Sequence, residues 1–429
     1  MAEISRFILE YTDIITAADV PVGEGLPPKA VIHRFLRLFK QVHDPRMPGM
    51  VEYPIEEIIL MTFLAIMGSA STWEEIEGFA VSRERWLKKF IPLRNGIPSH
   101  DTFRRVFSLI NTKQLQDMTV HLLTENLFAI KKALGMNDDR VRQICVDGKE
   151  QRGSGRKYNS DDKVKNLQTL HIYDASNSIC LYSEAISEKT NEIPVAQDIL
   201  KRIDLRNCIV TFDALHMQKK TVEVIADSKG DYVGGLKGNQ SGLLEEAAAY
   251  FDEQDLLDHY KSKGQYYSTT EKSHGQIEKR EYYLCYAMKR KTTKDWKKLK
   301  CFICFIKEII PIHGGESKKE IRYYASSTDD TKLCADAIRG HWGVENTLHW
   351  HLDFSFREDD NTTMDESAFN NYSLMNKMAL TLLKLAKPVM KNRSIKTIRK
   401  MLGWNYEDVL AQVFSCFDKD YLRQVLDNV

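Results

Sequence analysis

Arg339-Gly-His-Trp-Gly-Val-Glu-Asn-Thr-Leu-His-Trp-His-Leu-Asp353 carries an acidic residue, Glu345, in the middle of a predicted helical face. The residues that recur there at three- and four-residue spacing are Ile338, His341, Trp342, Glu345, Leu348, His349 and Leu352. This spacing predicts a helix that packs inward, with Trp342 and Trp350 in the core. A carboxylate on such a face is costly unless a cation or several donors meet it. Glu345 therefore belongs either to a structural ion pair, for example with Arg339, or to a site that other acids share.

Two further acids follow predicted strands. Gln143-Ile-Cys-Val-Asp147 is a short apolar run that ends on an acid before Gly148, and the run 208–212 is followed by Asp213. With the strand and helix patterns around them, these runs predict a mixed α/β sheet flanked by helices. Ligands of such sheets gather at the carboxyl ends of strands, although each aspartate alone could equally cap a turn.

Together, Asp147, Asp213 and Glu345 have the composition of a divalent-cation site. Three converging carboxylates repel one another and take up protons unless positive charge is supplied. Mg²⁺ and Mn²⁺ accept such oxygen ligands, and two ions about 4 Å apart stabilise both the attacking and the leaving oxygens in phosphoryl transfer. A different metal site, formed by His341, Glu345 and His349 at one-turn spacing, stays open as an alternative.

Composition limits the remaining possibilities. The chain has 429 residues, which predicts two or three domains, and its 61 Lys and Arg balance 60 Asp and Glu. The first five residues lack a secretion signal, and the longest apolar run, 58–67, is too short to cross a bilayer. The eight cysteines are scattered apart from Cys301 and Cys304, a weak zinc signal. We expect a cytoplasmic protein without a membrane partner.

Changes in the helix and strand patterns along the chain predict domains that follow one another in sequence. The predicted segments are a flexible lead-in (1–28), a helical N-terminal domain (29–135), a catalytic domain (136–375) with a β-rich insertion at about 238–327, and C-terminal helices (376–429). Pro54, Ser71-Thr72 and Ser99 each mark the start of a helix in the N-terminal domain. The third of these helices exposes Arg104 and Arg105, which suits a DNA-reading helix-turn-helix and an ordinary bundle about equally.

Several motifs in a fixed order resemble DDE insertion-sequence transposases of the H-repeat-associated-protein group, over roughly residues 35 to 385. The matching motifs include Ile97-Pro-Ser-His-Asp-Thr-Phe103, Asp147-Gly-Lys149, Arg152-Gly-Ser154, Thr190-Asn-Glu-Ile193, Val210-Thr-Phe-Asp-Ala214, Leu236-Lys-Gly-Asn-Gln240 and His341-Trp-Gly-Val-Glu-Asn346. The resemblance implies an RNase-H-like catalytic fold in which Asp147, Asp213 and Glu345 bind the metal. Where the wider superfamily has Tyr, Arg and Lys on the Glu helix, this chain has Ile338, His341 and Leu352.

Residues beside these motifs are candidates for DNA contact. Lys149, Arg152, Lys237, Arg339, His341 and His349 could hold phosphates, and Asn239 and Gln240 could contact bases or sugars. Each also has a plain interpretation, as a solvated charge or a turn residue. Trp296, in the basic connection 287–300, could stack on an extruded base or anchor its loop.

The favoured hypothesis is a Mg²⁺- or Mn²⁺-dependent transposase with two ions per active site. It would bind the terminal inverted repeats of an insertion sequence in double-stranded DNA, cleave them, and join the freed 3′-OH to target DNA. Two ends require two active sites, so we expect a homodimer on DNA in a bacterial-type, nucleoid-associated setting. The alternatives are a nuclease that never joins strands, a domesticated or defective DNA-binding relic, and an interaction protein with structural acids.

Overall fold

A computed structural model describes residues 28–120, 141–151, 166–186, 191–273 and 275–417. The predicted lead-in, apart from Pro28, and the candidate Arg152 lie outside these ranges. The chain divides into two compact units. The sheet unit comprises 139–149 and 168–349, and the helical unit comprises 1–138, 150–167 and 350–429.

The sheet contains nine strands within the described residues. In chain order they are β1 Arg142–Gln151, β2 Leu167–Asp174, β3 Ile179–Ile186, β4 Cys208–Phe212, β5 Asp231–Leu236, β6 Tyr266–Ser273, β7 Gln276–Tyr286, β8 Cys301–Pro311 and β9 Lys318–Ser326. Their order across the sheet is β3-β2-β1-β4-β5-β9-β8-β7-β6. The pairs β1–β4 and β4–β5 are parallel. The pairs β2–β3, β5–β9, β9–β8, β8–β7 and β7–β6 are antiparallel. The predicted mixed α/β sheet is therefore confirmed, and its RNase-H-like character stays a prediction.

The β-rich stretch predicted as an insertion extends this same sheet. β9 pairs with β5 through Gly234↔Ala325 and its neighbours, and β8, β7 and β6 follow outward. Two helices that the sequence did not predict, Ser241–Ala249 and Gln254–Ser262, precede these strands. The insertion is continuous with the central sheet because the edge of β5 offers unpaired backbone groups that β9 satisfies.

Three other helices belong to the sheet unit: Glu192–Leu200, Lys219–Asp227 and Thr331–Val344. The last continues as a π-helical segment, Glu345–His349, and we call the two together the site helix. Its α-helical part packs on the sheet through Cys334, Ala337 and Ile338.

The predicted inward face of the site helix holds only in part. Trp342 is 38 % exposed, with the Arg322 guanidinium 4.5 Å from its ring, and Trp350 in the helical unit is 48 % exposed. Placing these two tryptophans in the core was wrong. A π-helical turn makes i→i+5 hydrogen bonds, so the spacing assumed for an α-helix does not continue past Val344 to Trp350. Trp342 lies before this change, and its ring packs under the Arg322 guanidinium at the surface of the α-helical part.

The helical unit is built from both ends of the chain. Its helices are Pro28–Phe39, Ile55–Met67, Trp73–Ser82, Glu84–Leu87, His100–Leu109, Glu366–Leu385, Ile395–Trp404 and Tyr406–Phe414, and residues 112–120 are also helical. The predicted starts are confirmed, because Pro54, Thr72 and Ser99 are N-caps. The side chains of Thr72 and Ser99 accept hydrogen bonds from the first turns.

Helices from both ends of the chain share one core within the helical unit. Asn371 Nδ2 donates to the carbonyl oxygens of Phe107 (2.8 Å) and Ile110 (2.9 Å). The Tyr406 hydroxyl donates to the Leu64 carbonyl oxygen at 2.8 Å. Helix Ile55–Met67 is buried along almost its whole length, so it needs partners on every side, and both the preceding and the later helices supply them.

None of the helices in the described ranges combines the length and apolar composition that a membrane crossing requires.

Candidate active site

Asp147 and Asp213 lie side by side at the end of one parallel strand pairing. The register of β1 and β4 runs to Val146↔Phe212, and each aspartate is the next residue. β4 ends there, as predicted, but β1 continues to Gln151, so Asp147 lies within its strand and not at the strand end. Asp213 Oδ1 accepts the backbone N–H groups of Leu215 (3.0 Å) and His216 (3.4 Å). It thus caps a turn and still lies next to Asp147.

The site helix crosses the same strands. Gln143 Nε2, from β1, donates to the Ala337 carbonyl oxygen at 2.7 Å and to Thr211 Oγ1, on β4, at 3.1 Å. Gly340 permits this approach, because a Cβ atom there would overlap Gln143 Oε1. The helix is therefore held against β1 at Ala337 and Gly340, about one and a half to two turns before Glu345.

Glu345 is exposed and not buried on an apolar face as predicted. It opens the π-helical segment, in which Leu348 is the buried residue, and it follows the buried Val344. The carboxylate consequently needs no internal ion pair. Arg339, the partner considered from the sequence, instead pairs with Glu271 at 2.5 Å.

Burial and the charges of the other acids raise the pKa of Asp147. Burial raises its pKa, and the negative charges of Glu345, Asp213 and Glu192 raise it further, to about 7, although the Gly148 backbone N–H opposes the shift. The side chain is 21 % exposed. The three predicted acids, with Glu192 in addition, therefore share one electrostatic neighbourhood.

The donor set fits a hard divalent cation, although it is not preassembled. No group of three or more His, Cys, Asp or Glu side chains in the described ranges is arranged closely enough to hold a metal ion. The carboxylates supply oxygen ligands, and the raised pKa of Asp147 reflects negative charge that a cation would offset. The alternative His341–Glu345–His349 site and a zinc site at Cys301 and Cys304 are not preassembled either, since the described residues form no such group there.

Two histidines line the site. His349 Nδ1 lies 3.7 Å from Asp147 Oδ2, and His349 Nε2 lies 2.9 Å from Nδ1 of the fully buried His171. His341 Nδ1 lies 3.1 Å from Thr211 Oγ1. Burial lowers the pKa of His341 to about 4 against the opposing charge of Asp213, so this ring is neutral at physiological pH. Both predicted phosphate donors are thus engaged in internal hydrogen bonds.

Other predicted contact residues differ in their exposure. Lys237, Asn239 and Arg339 are exposed in the sheet unit, as are Arg104 and Arg105 in the helical unit, whereas Lys149 is buried. The side-chain amides of Asn239 and Gln240 donate to the carbonyl oxygens of Ala214 (2.6 Å) and Met217 (3.0 Å), which fastens the turn after β4.

Trp296 is buried, so it anchors the basic loop and its ring face is not available to an extruded base. The base-stacking interpretation is therefore corrected to the loop-anchor interpretation that the sequence left open.

Three residues of this neighbourhood were not selected from the sequence: His171, Glu192 and His216. His171 and His216 lie in ordinary strand and turn patterns that carry no chemical signal. Glu192 lies in the motif Thr190-Asn-Glu-Ile193, and its place in that motif was the only available signal.

Comparison with known proteins gives the family. Residues 36–123 match the family model described as DDE_Tnp_1-associated, and residues 140–382 match the model described as Transposase DDE domain. "Putative transposase YncI" of Escherichia coli O157:H7 is 32% identical over 410 residues, which cover 93% of this chain and 99% of the relative. "H repeat-associated putative transposase YhhI" of Escherichia coli (strain K12) is 31% identical over 350 residues, or 80% of this chain and 88% of the relative.

A cryo-EM structure of the piggyBac transposase synaptic complex with hairpin DNA is similar at a TM-score of 0.39 and 13% identity. It covers 94% of this chain and 84% of that chain, a likeness too weak to define the fold. The family model over residues 140–382 spans more than half of the sequence, and the relatives match most of it. The chain therefore belongs to the DDE transposases, in the H-repeat-associated group of insertion-sequence transposases.

Proposed function

We propose that this transposase cleaves the ends of an insertion sequence and joins the freed 3′-OH to target DNA, with Asp147, Asp213 and Glu345 as its catalytic carboxylates. The observation that carries the proposal is the adjacency of Asp147 and Asp213 in the β1–β4 register, together with the effect of Glu345 on the pKa of Asp147. The charges of three acids from distant parts of the sequence therefore act on one carboxyl group, which supports the proposal.

Asp147, Asp213 and Glu345 would hold Mg²⁺ or Mn²⁺, with two ions in each active site. When bound, the ions supply positive charge beside the attacking and leaving oxygens of the phosphoryl group. In cleavage, a water oxygen forms a bond to phosphorus as the bond to the 3′-oxygen breaks. In joining, that 3′-oxygen attacks a target phosphorus and displaces a target 3′-oxygen, so one phosphodiester bond replaces another.

The residues around the three acids would contribute to cation binding and to DNA binding. Asp147 has a pKa of about 7, so a bound cation would compete directly with its proton. Lys237 and Arg339 are exposed in the sheet unit and are the cations that we assign to DNA phosphates. Terminal inverted repeats occur at both ends of an element, so two copies of the chain would act together on DNA.

The test uses the purified full chain, a DNA substrate that carries the element ends, and Mg²⁺, Mn²⁺ or EDTA. Asp147→Asn, Asp213→Asn and Glu345→Gln are each compared with the wild type, and Asp198→Asn, an exposed acid paired with Arg202, serves as the control. We expect the control to cleave normally and the three variants to lose cleavage without any loss of thermal stability.

The products separate the alternatives. Joined products with a target plasmid support the transposase, whereas metal-dependent cleavage without joining identifies a nuclease. DNA binding without cleavage by the wild type identifies a relic. Cleavage that persists in all three variants overturns the assignment of the catalytic residues.

A further inference from the structure

Glu192 holds a position in the site that its place in the sequence does not reveal. It is the first residue of helix Glu192–Leu200, whose N-cap Asn191 accepts the Ile193 backbone N–H at 3.1 Å. Its carboxylate lies directly against Gly148, the residue after Asp147. A Cβ atom at Gly148 would lie 2.8 Å from Glu192 Oε1 and 3.1 Å from Oε2. Glycine at 148 therefore leaves the space that this carboxylate fills.

The same carboxylate reaches the segment that carries Asp213. Glu192 Oε2 lies 3.7 Å from Nε2 of His216, the last residue of the short turn that Asp213 caps. His216 is 1 % exposed, and neither of its ring nitrogens has a hydrogen-bond partner among the residues that the structure describes. A buried imidazole without a partner is costly, and a small approach of Glu192 would satisfy it.

We propose that Glu192 is a positioning residue of the cation site, which links the Asp147 segment to the Asp213 turn through His216. This inference rests on the proposed function, because it concerns the same cation site. The charge balance supports this role. Two divalent cations carry four positive charges, the three proposed ligands carry three negative charges, and Glu192 supplies the fourth. Carboxylates that orient the ligands of a metal commonly change its affinity by about 10- to 100-fold when they are removed.

Gly148 offers a way to move Glu192 without removing it. The backbone at Gly148 is compatible with an L-residue, and the atoms that an added methyl group meets first are the flexible end of the Glu192 side chain. Gly148→Ala should therefore displace the carboxylate from its place beside Asp147 while the fold stays intact. Glu192→Gln instead removes the charge and leaves the shape.

The experiment measures Mn²⁺ binding to the full chain without DNA, by the loss of the electron paramagnetic resonance signal of free Mn²⁺. The variants are Glu192→Gln, Glu192→Asp and Gly148→Ala. Asp198→Asn is the matched control, since Asp198 lies on the same helix but is exposed. We expect Glu192→Gln and Gly148→Ala each to weaken Mn²⁺ binding by about tenfold or more, Glu192→Asp to recover part of the affinity, and the control to bind like the wild type. Thermal melting without metal should stay within a few degrees of the wild type in all of them.

Asp147→Asn distinguishes a failure of the role proposed for Glu192 from a failure of the cation site itself. If Asp147→Asn loses Mn²⁺ binding while Glu192→Gln and Gly148→Ala keep it, the role of Glu192 is overturned and the proposed function stands. If Asp147→Asn binds Mn²⁺ like the wild type, the cation site itself is overturned, and the role of Glu192 with it. A loss of affinity that appears only with a loss of thermal stability would make Glu192 a structural residue and also reject the inference.

Discussion

Nδ1 of His171 lies 2.9 Å from Nε2 of His349, so a fully buried residue of β2 holds the last residue of the π-helical segment that begins with Glu345. One ring donates and the other accepts in this contact. The far side of the His349 ring faces Asp147 at 3.7 Å. The histidine pair thus connects β2 to the end of this segment, next to Asp147.

His349→Phe should slow DNA cleavage by about tenfold and leave the affinity for DNA unchanged, because the ring supports Asp147 and the Glu345 segment. Single-turnover cleavage and equilibrium DNA binding, measured on the same substrate, separate the two effects. His259→Phe, at an exposed position of helix Gln254–Ser262, is the control. A fall in DNA affinity that matches the fall in rate would instead make His349 a phosphate contact, as the sequence predicted.

Asp147→Asn should stabilise the metal-free protein, and more so at high pH. The folded pKa of Asp147 is about 7 against an ordinary 3.8, so the folded state keeps a proton that the unfolded state loses between these values. The free energy of unfolding of the wild type therefore falls as the pH rises from 3.8 to 7, and the full loss is reached above pH 7. The gain from the substitution should be larger at pH 8.5 than at pH 5.5, by about 2 kcal/mol.

Urea denaturation of both proteins in EDTA measures this difference. Adding Mg²⁺ should then stabilise the wild type and leave Asp147→Asn unchanged, since a cation needs the ionised carboxylate. Equal stability of the two proteins at pH 8.5 would contradict the close grouping of the acids.

Local chemistry made part of the molecule predictable from sequence. The run Cys208–Phe212 is wholly buried, as a continuous apolar run between turns predicts for a central parallel strand. Thr72 and Ser99 were recognisable as caps because their hydroxyl groups accept bonds from residues only three positions away. The proximity of Asp147 and Asp213 followed from the same logic, since parallel neighbours place equivalent ends together.

The remaining features depend on partners far along the chain. β9 joins β5 although about 90 residues separate them, and His171 meets His349 across 178 residues. No local pattern marks the change from α- to π-helix at Glu345, and this residue is exposed although it was predicted to be buried. Glu192 was visible in a motif, but its role depends on the space above Gly148, which only the folded chain reveals.

Asn371→Ala should destabilise the helical unit by about 2 kcal/mol or more. The buried Asn371 amide donates to the carbonyl oxygens of Phe107 and Ile110, at the end of helix His100–Leu109, and its loss would leave both groups without this donor. The control is Asn370→Ala, at the adjacent, half-buried position. Chemical denaturation followed by circular dichroism compares them, and equal effects would contradict a core shared by the two ends of the chain.

Gly340→Ala should destabilise the sheet unit by about 1–3 kcal/mol, because the added methyl group overlaps Gln143 Oε1. The Gln143 amide cannot yield freely, since it bonds to Ala337 and Thr211. Gly343→Ala is the matched control on the same helix: nothing lies within 4 Å of its Cβ position, so the usual helical gain of about 0.5–1 kcal/mol should appear.

The double variant Gly340→Ala/Gln143→Ala tests the cause. Removing the glutamine makes room for the methyl group, so stability should recover in part, although the two hydrogen bonds are lost. Urea denaturation of the wild type, the two single variants and the double variant gives the coupling free energy between positions 340 and 143. The cleavage rate of the double variant shows whether Glu345 regains its position in the site. Equal destabilisation by both glycine substitutions would mean that close contact with β1 does not set the position of the site helix.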